Sequence, residues 1–375
     1  MINISPEEQI ITDWLSTAGV AVNGSNPWDI KVHDKKFYGR ALSEGSLGLG
    51  ETYMEGLWDC DKLDQFVFRV QRAQLSGKLK PNLKIVTHFL KNKLVNLQRK
   101  SHAFDLKHYD IGNQLYKRML DARMVYTCAF WANASNLEEA QEAKLEMVCR
   151  KIGLKPGMKI LDIGCGWGSF MKYAAEKYGV RCMGVTISQS QIDLGRELCK
   201  GLPIEFKLLD YRDITGEYDA IVSLGMFEHV GPKNYKDFMK IVSKSLKNDG
   251  LFLLHTMGGN TSDPVINSDP WMNKYIFPNG IIPSVKQISV AIEGQFVMED
   301  WHNFGIDYDK TLLAWHRNFV AAWPELKNNY DVVFYRMWTY FLLACAGSSR
   351  AHVFELWQIV LSKKGIVGGY KSIRP

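Results

Sequence analysis

The chain has 375 residues, 46% of them hydrophobic, and a formal net charge of +6 at pH 7. That length exceeds one ordinary domain, so a large domain with a smaller partner is expected. No run of about 18 apolar residues occurs, and the start, MINISPEEQI, lacks a basic region followed by an apolar stretch. Neither a membrane span nor a secretory signal is expected, which places the protein in the cytoplasm.

The charge is concentrated. Between Lys78 and Lys107 eight basic residues face a single acid, Asp105, while the remaining chain is close to neutral. The seven cysteines (Cys60, Cys128, Cys149, Cys165, Cys182, Cys199 and Cys345) are odd in number and form no C-x-x-C pair. They read as reduced thiols, mostly small core residues, and no metal site is expected.

In chain order, the first hundred residues suggest short helices broken at Asn23-Gly24, Asn26-Pro27 and Gly45–Gly50. Leu83, Val86, Leu90, Leu94 and Leu97 follow the spacing of an amphipathic helix, with Lys84 and Lys91 on one flank. Such a helix either meets an anionic membrane surface, where each Lys or Arg contributes roughly 1 kcal/mol, or packs as a solvated helix on the main domain. From Lys155 onward, short apolar runs at 158–163, 182–186, 204–209, 220–224 and 251–256 alternate with helical stretches. This predicts an α/β fold, a parallel sheet with helices on both faces. The run 354–362 predicts a further strand at or near a sheet edge. Fifteen aromatics crowd residues 296–357, about twice the chain average; they read as an aromatic-lined pocket or as ordinary helix packing.

The strongest motif is KILDIGCGWG, residues 159–168. A buried strand ends at Asp162, and Gly164, Gly166 and Gly168 permit a tight turn and close approach of backbone amides to a ligand before a helix opens near Ser169. Because the loop begins with an acid and reads D-x-G-x-G-x-G, it favours a cationic sulfonium ligand, S-adenosylmethionine, over a pyrophosphate. Cys165 lies within this loop. After the second strand no acid is available for ribose hydroxyls; Thr186, Ser188 and Gln191 offer neutral hydrogen bonds instead, although Ser188 also suits a helix cap. Asp210 and Tyr211 follow the third strand, where they offer adenine a hydrogen bond and an aromatic face.

Ten segments resemble one family in order and at length: HYDIGNQLY (108–116), VYTCAFW (125–131), LDIGCGWG (161–168), GVTIS (184–188), LLDYRD (208–213), GMFEHVGPKNY (225–235), LLHTMG (253–258), DPWMNKYIFPNG (269–280), MEDWHNFGIDYDKTL (298–312) and ACAG (344–347). They are similar to the bacterial cyclopropane-fatty-acyl-phospholipid synthases, S-adenosylmethionine-dependent enzymes of the mycolic acid/cyclopropane synthase family. EGSLGLGETYMEG (44–56) resembles the family's small first domain. The resemblance implies a Rossmann-like class I methyltransferase sheet with a small, mainly helical N-terminal domain. It divides the chain into a lipid- or membrane-associated domain at 1–105, with a basic linker helix at about 78–105, and a catalytic domain at 106–375.

The implied reaction closes a cyclopropane ring on the cis double bond of an unsaturated phospholipid acyl chain. The alkene must lie in line with the sulfonium methyl, shielded from water. Methyl transfer leaves a carbocation, and a base then removes a proton from the added methyl as the ring closes. In the family that base is a bound bicarbonate ion. Its implied holders here are Cys128, Glu228, His255 and Tyr308, with the backbone amide of Met257, where the family commonly has isoleucine. Tyr126 and Thr127 resemble residues lying against the cofactor. Cys345, in ACAG, is both an active-site candidate of the family and, in its setting FLLACAG, a buried helical residue with no neighbouring base or cation to activate it. The resemblance further implies a homodimer, peripherally associated with the inner face of the cell membrane, and no nucleic-acid partner.

The basic segment yields a direct test. Replacing Lys84 and Lys91 together is expected to weaken binding to anionic vesicles chiefly at low salt, where surface charge is least screened. Unchanged salt dependence in a vesicle-sedimentation assay would return that segment to simple packing.

Overall fold

The computed structural model describes residues 4–73, 112–262 and 269–374; the basic segment, Lys84 and Lys91 among it, lies outside them. By their contacts these residues form two compact units, one of 4–73, 269–278 and 320–353, the other of 112–262, 279–319 and 354–374. Two stretches from the later chain thus belong with the N-terminal residues.

The first unit is mainly helical. Helix α1 (Pro6–Thr17) starts on Ser5, whose side chain accepts from the Glu8 amide. The two-residue strands β1 (Lys31–Val32) and β2 (Trp58–Asp59) pair antiparallel around α2 (Lys36–Glu44) and α3 (Ser46–Met54), and α4 (Leu63–Arg72) follows. Trp58, Phe37 and Phe66 are fully buried between them. Their apolar faces are completed by distant chain, because nothing local remains to cover them. The late helix Val332–Arg350 presses Gly347 onto the α4 backbone, where a Cβ would collide with Asp64 O and Phe68 N. Likewise Gly50 of α3 leaves room for the Trp271 indole.

The second unit opens with α5 (Asn113–Met119) and α6 (Leu137–Lys151). Asn136 caps α6, its Oδ1 accepting from the Glu139 amide at 2.9 Å, and Glu138 and Glu139 in the first turn suit the positive end of the helix dipole. Then come β3 (Lys159–Ile163), α7 (Ser169–Tyr178), β4 (Arg181–Thr186), α8 (Gln189–Leu198), β5 (Ile204–Leu208), β6 (Tyr218–Leu224), α9 (Tyr235–Ser245) and β7 (Leu246–Gly258). After α10 (Pro270–Tyr275) of the first unit, α11 (Val285–Ile292), β8 (Val297–Asn303) and α12 (Asp307–Leu326) follow. The chain ends with the first-unit helix Val332–Arg350, α13, and β9 (Glu355–Ser362).

The sheet order is β5-β4-β3-β6-β7-β9-β8. The five strands expected from 158 to 256 are all present and mutually parallel. Strand β9 is antiparallel to β7 and lies one place in from the edge, and the edge is β8, an element the sequence reading lacked. The burial pattern explains the omission: β8 (VMEDWHN) is half-exposed and carries three charged or imidazole side chains, whereas β9 is buried along its whole length. The aromatic-rich stretch does not form one lining. Phe296 and Trp357 enter the sheet core, with Trp301 packed against it, while Phe334, Trp338 and Phe341 lie in the first unit.

Chain order reverses between β3 and β6, so the loops leaving these strands meet at the crevice where open α/β sheets hold ligands. The glycine turn after β3 depends on left-handed backbone. Gly168 has φ +85°, and a Cβ there would stand 2.6 Å from Phe206 Cζ. Gly168→Ala is expected to lower unfolding free energy by about 2 kcal/mol or more, readable by denaturant titration; an unchanged midpoint would show that the turn tolerates a side chain.

Candidate active site

The loop after β3 is tied to β4 by the amides of Gly164 and Cys165, which donate to Val185 O at 2.9 and 3.1 Å. Gly164 (φ +82°) passes so close to the β6 exit that a Cβ would lie 2.6 Å from Met226 Cβ, whereas the place of a Cβ on Gly166 (φ +54°) is open. Asp162 is buried at the end of β3, and its Oδ1 has no hydrogen-bond partner among the described residues. Burial pushes its carboxyl up to about 7, against the opposing pull of Lys144. An unpaired buried acceptor beside an open glycine loop fits the polar part of a bound S-adenosylmethionine. Cys165 is buried with its thiol pushed well up by burial, and its side chain fills the space that Gly184 leaves.

The residues after β4 bond mainly to one another. Thr186 Oγ1 donates to Gln191 Oε1 at 2.9 Å and accepts from the Ser188 amide at 3.2 Å. Ser188 caps α8, accepting from the Gln191 amide. All three are buried at the sheet's carboxyl edge. After β5, both oxygens of Asp210 are engaged by Arg212, at 2.7 and 2.8 Å, and Tyr211 stands edge-on to Phe238. Asp210 thus has a guanidinium to share it with any adenine.

The second group gathers around the ends of β6 and β7. Leu224 pairs with His255, and the next amide, Gly225 N–H, donates to His255 O at 2.9 Å. Glu228 follows in a short 3-10 turn, and its Oε1 accepts from the Met257 amide at 2.6 Å. The Met257 N–H, expected to hold bicarbonate, donates its one hydrogen to Glu228 in this structure. Glu228 Oε2 is buried without a partner among the described residues. Gln358, opposite His255 on β9, places Nε2 3.3 Å from His255 Nδ1. With the amide as donor, the ring hydrogen sits on His255 Nε2, which is also buried and has no partner among the described residues. Burial raises Glu228, and burial with the fields of Lys144 and Lys151 holds His255 well below its usual range. His255 is therefore a neutral donor.

Cys128 and Tyr308 join this group from outside the sheet. Cys128 is fully buried in a cluster with Phe304 and Leu356, against which Met257 and Tyr308 pack. Phe304 also faces the His255 ring, with centroids 6.0 Å apart. The Cys128 thiol is pushed well up by burial and then by Asp307, which suits a neutral hydrogen-bond donor and not a thiolate nucleophile. Aromatic contacts link the two groups: Trp167 of the glycine loop meets Tyr116, Tyr116 meets Tyr126, Tyr126 meets Trp315, and Trp315 meets Tyr308. Such faces suit cations, whether sulfonium or carbocation.

Several supporting residues were missed in the sequence. Thr311 is fully buried on α12, one turn after Asp307. Its Oγ1 accepts from Ala129 N at 3.1 Å and Trp131 Nε1 at 2.9 Å, and Asp307 accepts from Trp131 N at 2.8 Å. From the opposite side, Gln141 and Lys144 of α6 hold Thr127. The segment carrying Tyr126, Thr127 and Cys128 is thereby gripped between two helices. The available signal was polar residues on apolar helix faces: Gln141 and Lys144 interrupt the pattern of Leu137, Leu145 and Val148. Cys345 belongs to the helical first unit, on α13, its thiol pushed up by burial with Asp269 adding to the effect. All seven cysteines are free thiols.

The mycolic acid cyclopropane synthetase family model matches residues 97–359. The chain is 52% identical to the cyclopropane-fatty-acyl-phospholipid synthase of Escherichia coli (strain K12), over 98% of this chain and 96% of that protein. The cyclopropane synthase MmaA2 of Mycobacterium tuberculosis superposes with a TM-score of 0.65 at 29% identity, over 68% of this chain and 96% of that one. A structure of the mycolic acid cyclopropane synthase CmaA1 complexed with SAH and CTAB gives 0.64 at 29% identity, over the same shares of the two chains. The fold is that of a class I methyltransferase, and by the extent of these matches the chain belongs to the mycolic acid cyclopropane synthetase family.

Proposed function

We propose that this protein transfers a methylene group from S-adenosylmethionine to the cis double bond of an unsaturated phospholipid acyl chain, forming a cyclopropane, with bound bicarbonate as the base. The observation that carries the reading is the pair of buried, unpartnered polar atoms at one sheet edge, Glu228 Oε2 and His255 Nε2. One is an acceptor and the other, in the tautomer set by Gln358, a donor. Bicarbonate offers one hydroxyl hydrogen and two further oxygens, so this pair fits it, with Cys128 and Tyr308 the further holders that the family resemblance implies.

When bound, S-adenosylmethionine supplies an electrophilic methyl and bicarbonate a proton acceptor. The loop Asp162–Gly168, with Thr186, Ser188, Gln191, Asp210 and Tyr211, would hold the methyl donor, and Tyr126 and Thr127 would lie against it. Glu228, buried, accepts through Oε2 and orients the acid–base group without placing a nucleophilic carboxylate in water. His255, held neutral, donates a hydrogen bond and does not compete for the proton. The aromatic series from Trp167 to Tyr308 would exclude water and face the cationic centre.

The basic excess at 78–107 supports docking on an anionic membrane surface from the cytoplasmic side, with the residues before 105 as a lipid-associated domain. Among the described residues no helix is long and apolar enough to cross a membrane. Family resemblance supports a homodimer.

Incubation with methyl-labelled S-adenosylmethionine and vesicles of unsaturated phospholipid should place label in lipid, with one methylene gained and the double bond lost. Label appearing solely in a soluble acceptor would reject the reading. For the acid–base group, Glu228→Gln is expected to bind S-adenosylmethionine normally by calorimetry while turnover falls about 100-fold or more; near-normal turnover would remove Glu228 from the mechanism.

A further inference from the structure

The chain around Cys128 is anchored at two places, one on each side of the thiol. On the amino side α6 holds Thr127: Gln141 Nε2 donates to Thr127 O and Lys144 Nζ to Thr127 Oγ1, both at 2.8 Å. On the carboxyl side α12 holds Ala129 and Trp131. Asp307 Oδ2 accepts from the Trp131 amide at 2.8 Å. Thr311 Oγ1 accepts from the Ala129 amide at 3.1 Å and from Trp131 Nε1 at 2.9 Å.

These bonds saturate the Thr311 hydroxyl. Its hydrogen goes to Asp307 O at 2.8 Å, and the two lone pairs of a threonine oxygen are both taken by the Ala129 and Trp131 donors. Cys128 Sγ stands 3.9 Å away. With no hydrogen or lone pair left, Thr311 does not engage the thiol; it fixes the backbone that carries it. Tyr308 precedes Thr311 by three residues on α12, a spacing that puts both on one side of the helix. Cys128 lies in a buried cluster against which Tyr308 and Met257 both pack, and the Met257 amide is bonded to Glu228. A single buried side chain thus ties the strand of chain bearing Cys128 to the helix bearing Tyr308, beside the turn that holds Glu228.

We propose that Thr311 is a positioning residue for the acid–base site, setting Cys128 and Tyr308 at the separation that a bicarbonate-sized anion needs, while the anchor at Thr127 serves the S-adenosylmethionine side. The assignment rests on the bicarbonate reading above and divides the support of the segment between its two ligands. Thr311 acts through Ala129, Trp131 and its own helix, without touching the reacting atoms.

Three changes in the full chain test it. Thr311→Val keeps the shape and removes the hydroxyl, Thr311→Ser keeps the hydroxyl, and Gln141→Leu removes a buried bond of the other anchor. Half-saturating bicarbonate is measured in carbonate-depleted buffer, S-adenosylmethionine affinity by calorimetry and folding by thermal melting. Thr311→Val is expected to raise half-saturating bicarbonate about tenfold, with S-adenosylmethionine affinity staying within about twofold, and Thr311→Ser to keep both near those of the unaltered chain. Gln141→Leu is expected to do the reverse, weakening S-adenosylmethionine about fivefold and leaving half-saturating bicarbonate within about twofold. Should Thr311→Val fail to fold, Thr311→Ala leaves room for a water to meet the two donors and is expected to give the same bicarbonate shift. An unshifted half-saturation in the folded variant, equal losses for the two ligands, or a serine variant as impaired as the valine one would each overturn the assignment. A wild-type rate independent of added bicarbonate would instead reject the bicarbonate reading itself, and the positioning role with it.

Discussion

The parallel pairing of β6 with β7 is the constraint on which the site depends. It sets Leu224 opposite His255 and is closed by the Gly225 amide donating to His255 O. Gly225 has φ +76°, and a Cβ there would press on the Thr127 methyl, so the chain can leave β6 in only one direction. That exit carries Met226 against the glycine loop and brings Glu228 back to the Met257 amide. A shift of the register by one residue would turn His255 to the other face of the sheet and break this arrangement.

The same edge concentrates polar groups where water is absent. Asp162, Glu228 and His255 are all buried there, and each is displaced by burial towards its neutral form. Such a group is expensive to maintain, and the surrounding structure supports it with rigid contacts: Thr311 and Asp307 on one side of the Cys128 segment, Gln141 on the other. The cost has a chemical counterpart. In the proposed reaction a carbocation survives only where water and free nucleophiles are excluded, and neutral donors beside aromatic faces would meet that need.

Much of this was legible in the sequence, for identifiable reasons. The five parallel strands are continuous apolar runs because both sheet faces are covered, and D-x-G-x-G-x-G marks its loop because only glycine adopts φ near +80° without strain. β8 was not legible, since an edge strand has one open side and needs no apolar run. The membership of 269–278 and 320–353 in the helical unit was equally hidden, because apolar helices do not declare which surface they cover.

The sequence by itself determined the local conformations at the site, the glycine turn and the acid ending β3, and through resemblance it implied the set Cys128, Glu228, His255 and Tyr308. Only the tertiary structure decided which atoms remain available there. Whether a carboxyl oxygen, an imidazole nitrogen or an amide hydrogen is free depends on its partner across the sheet, and those partners are remote in the chain. Met257 donates to Glu228, 29 residues before it, and Gln358 reaches His255 across 103 residues. Hydrogen bonding and burial are properties of neighbours in space, so the open positions at Glu228 Oε2 and His255 Nε2 emerge only when the chain is folded.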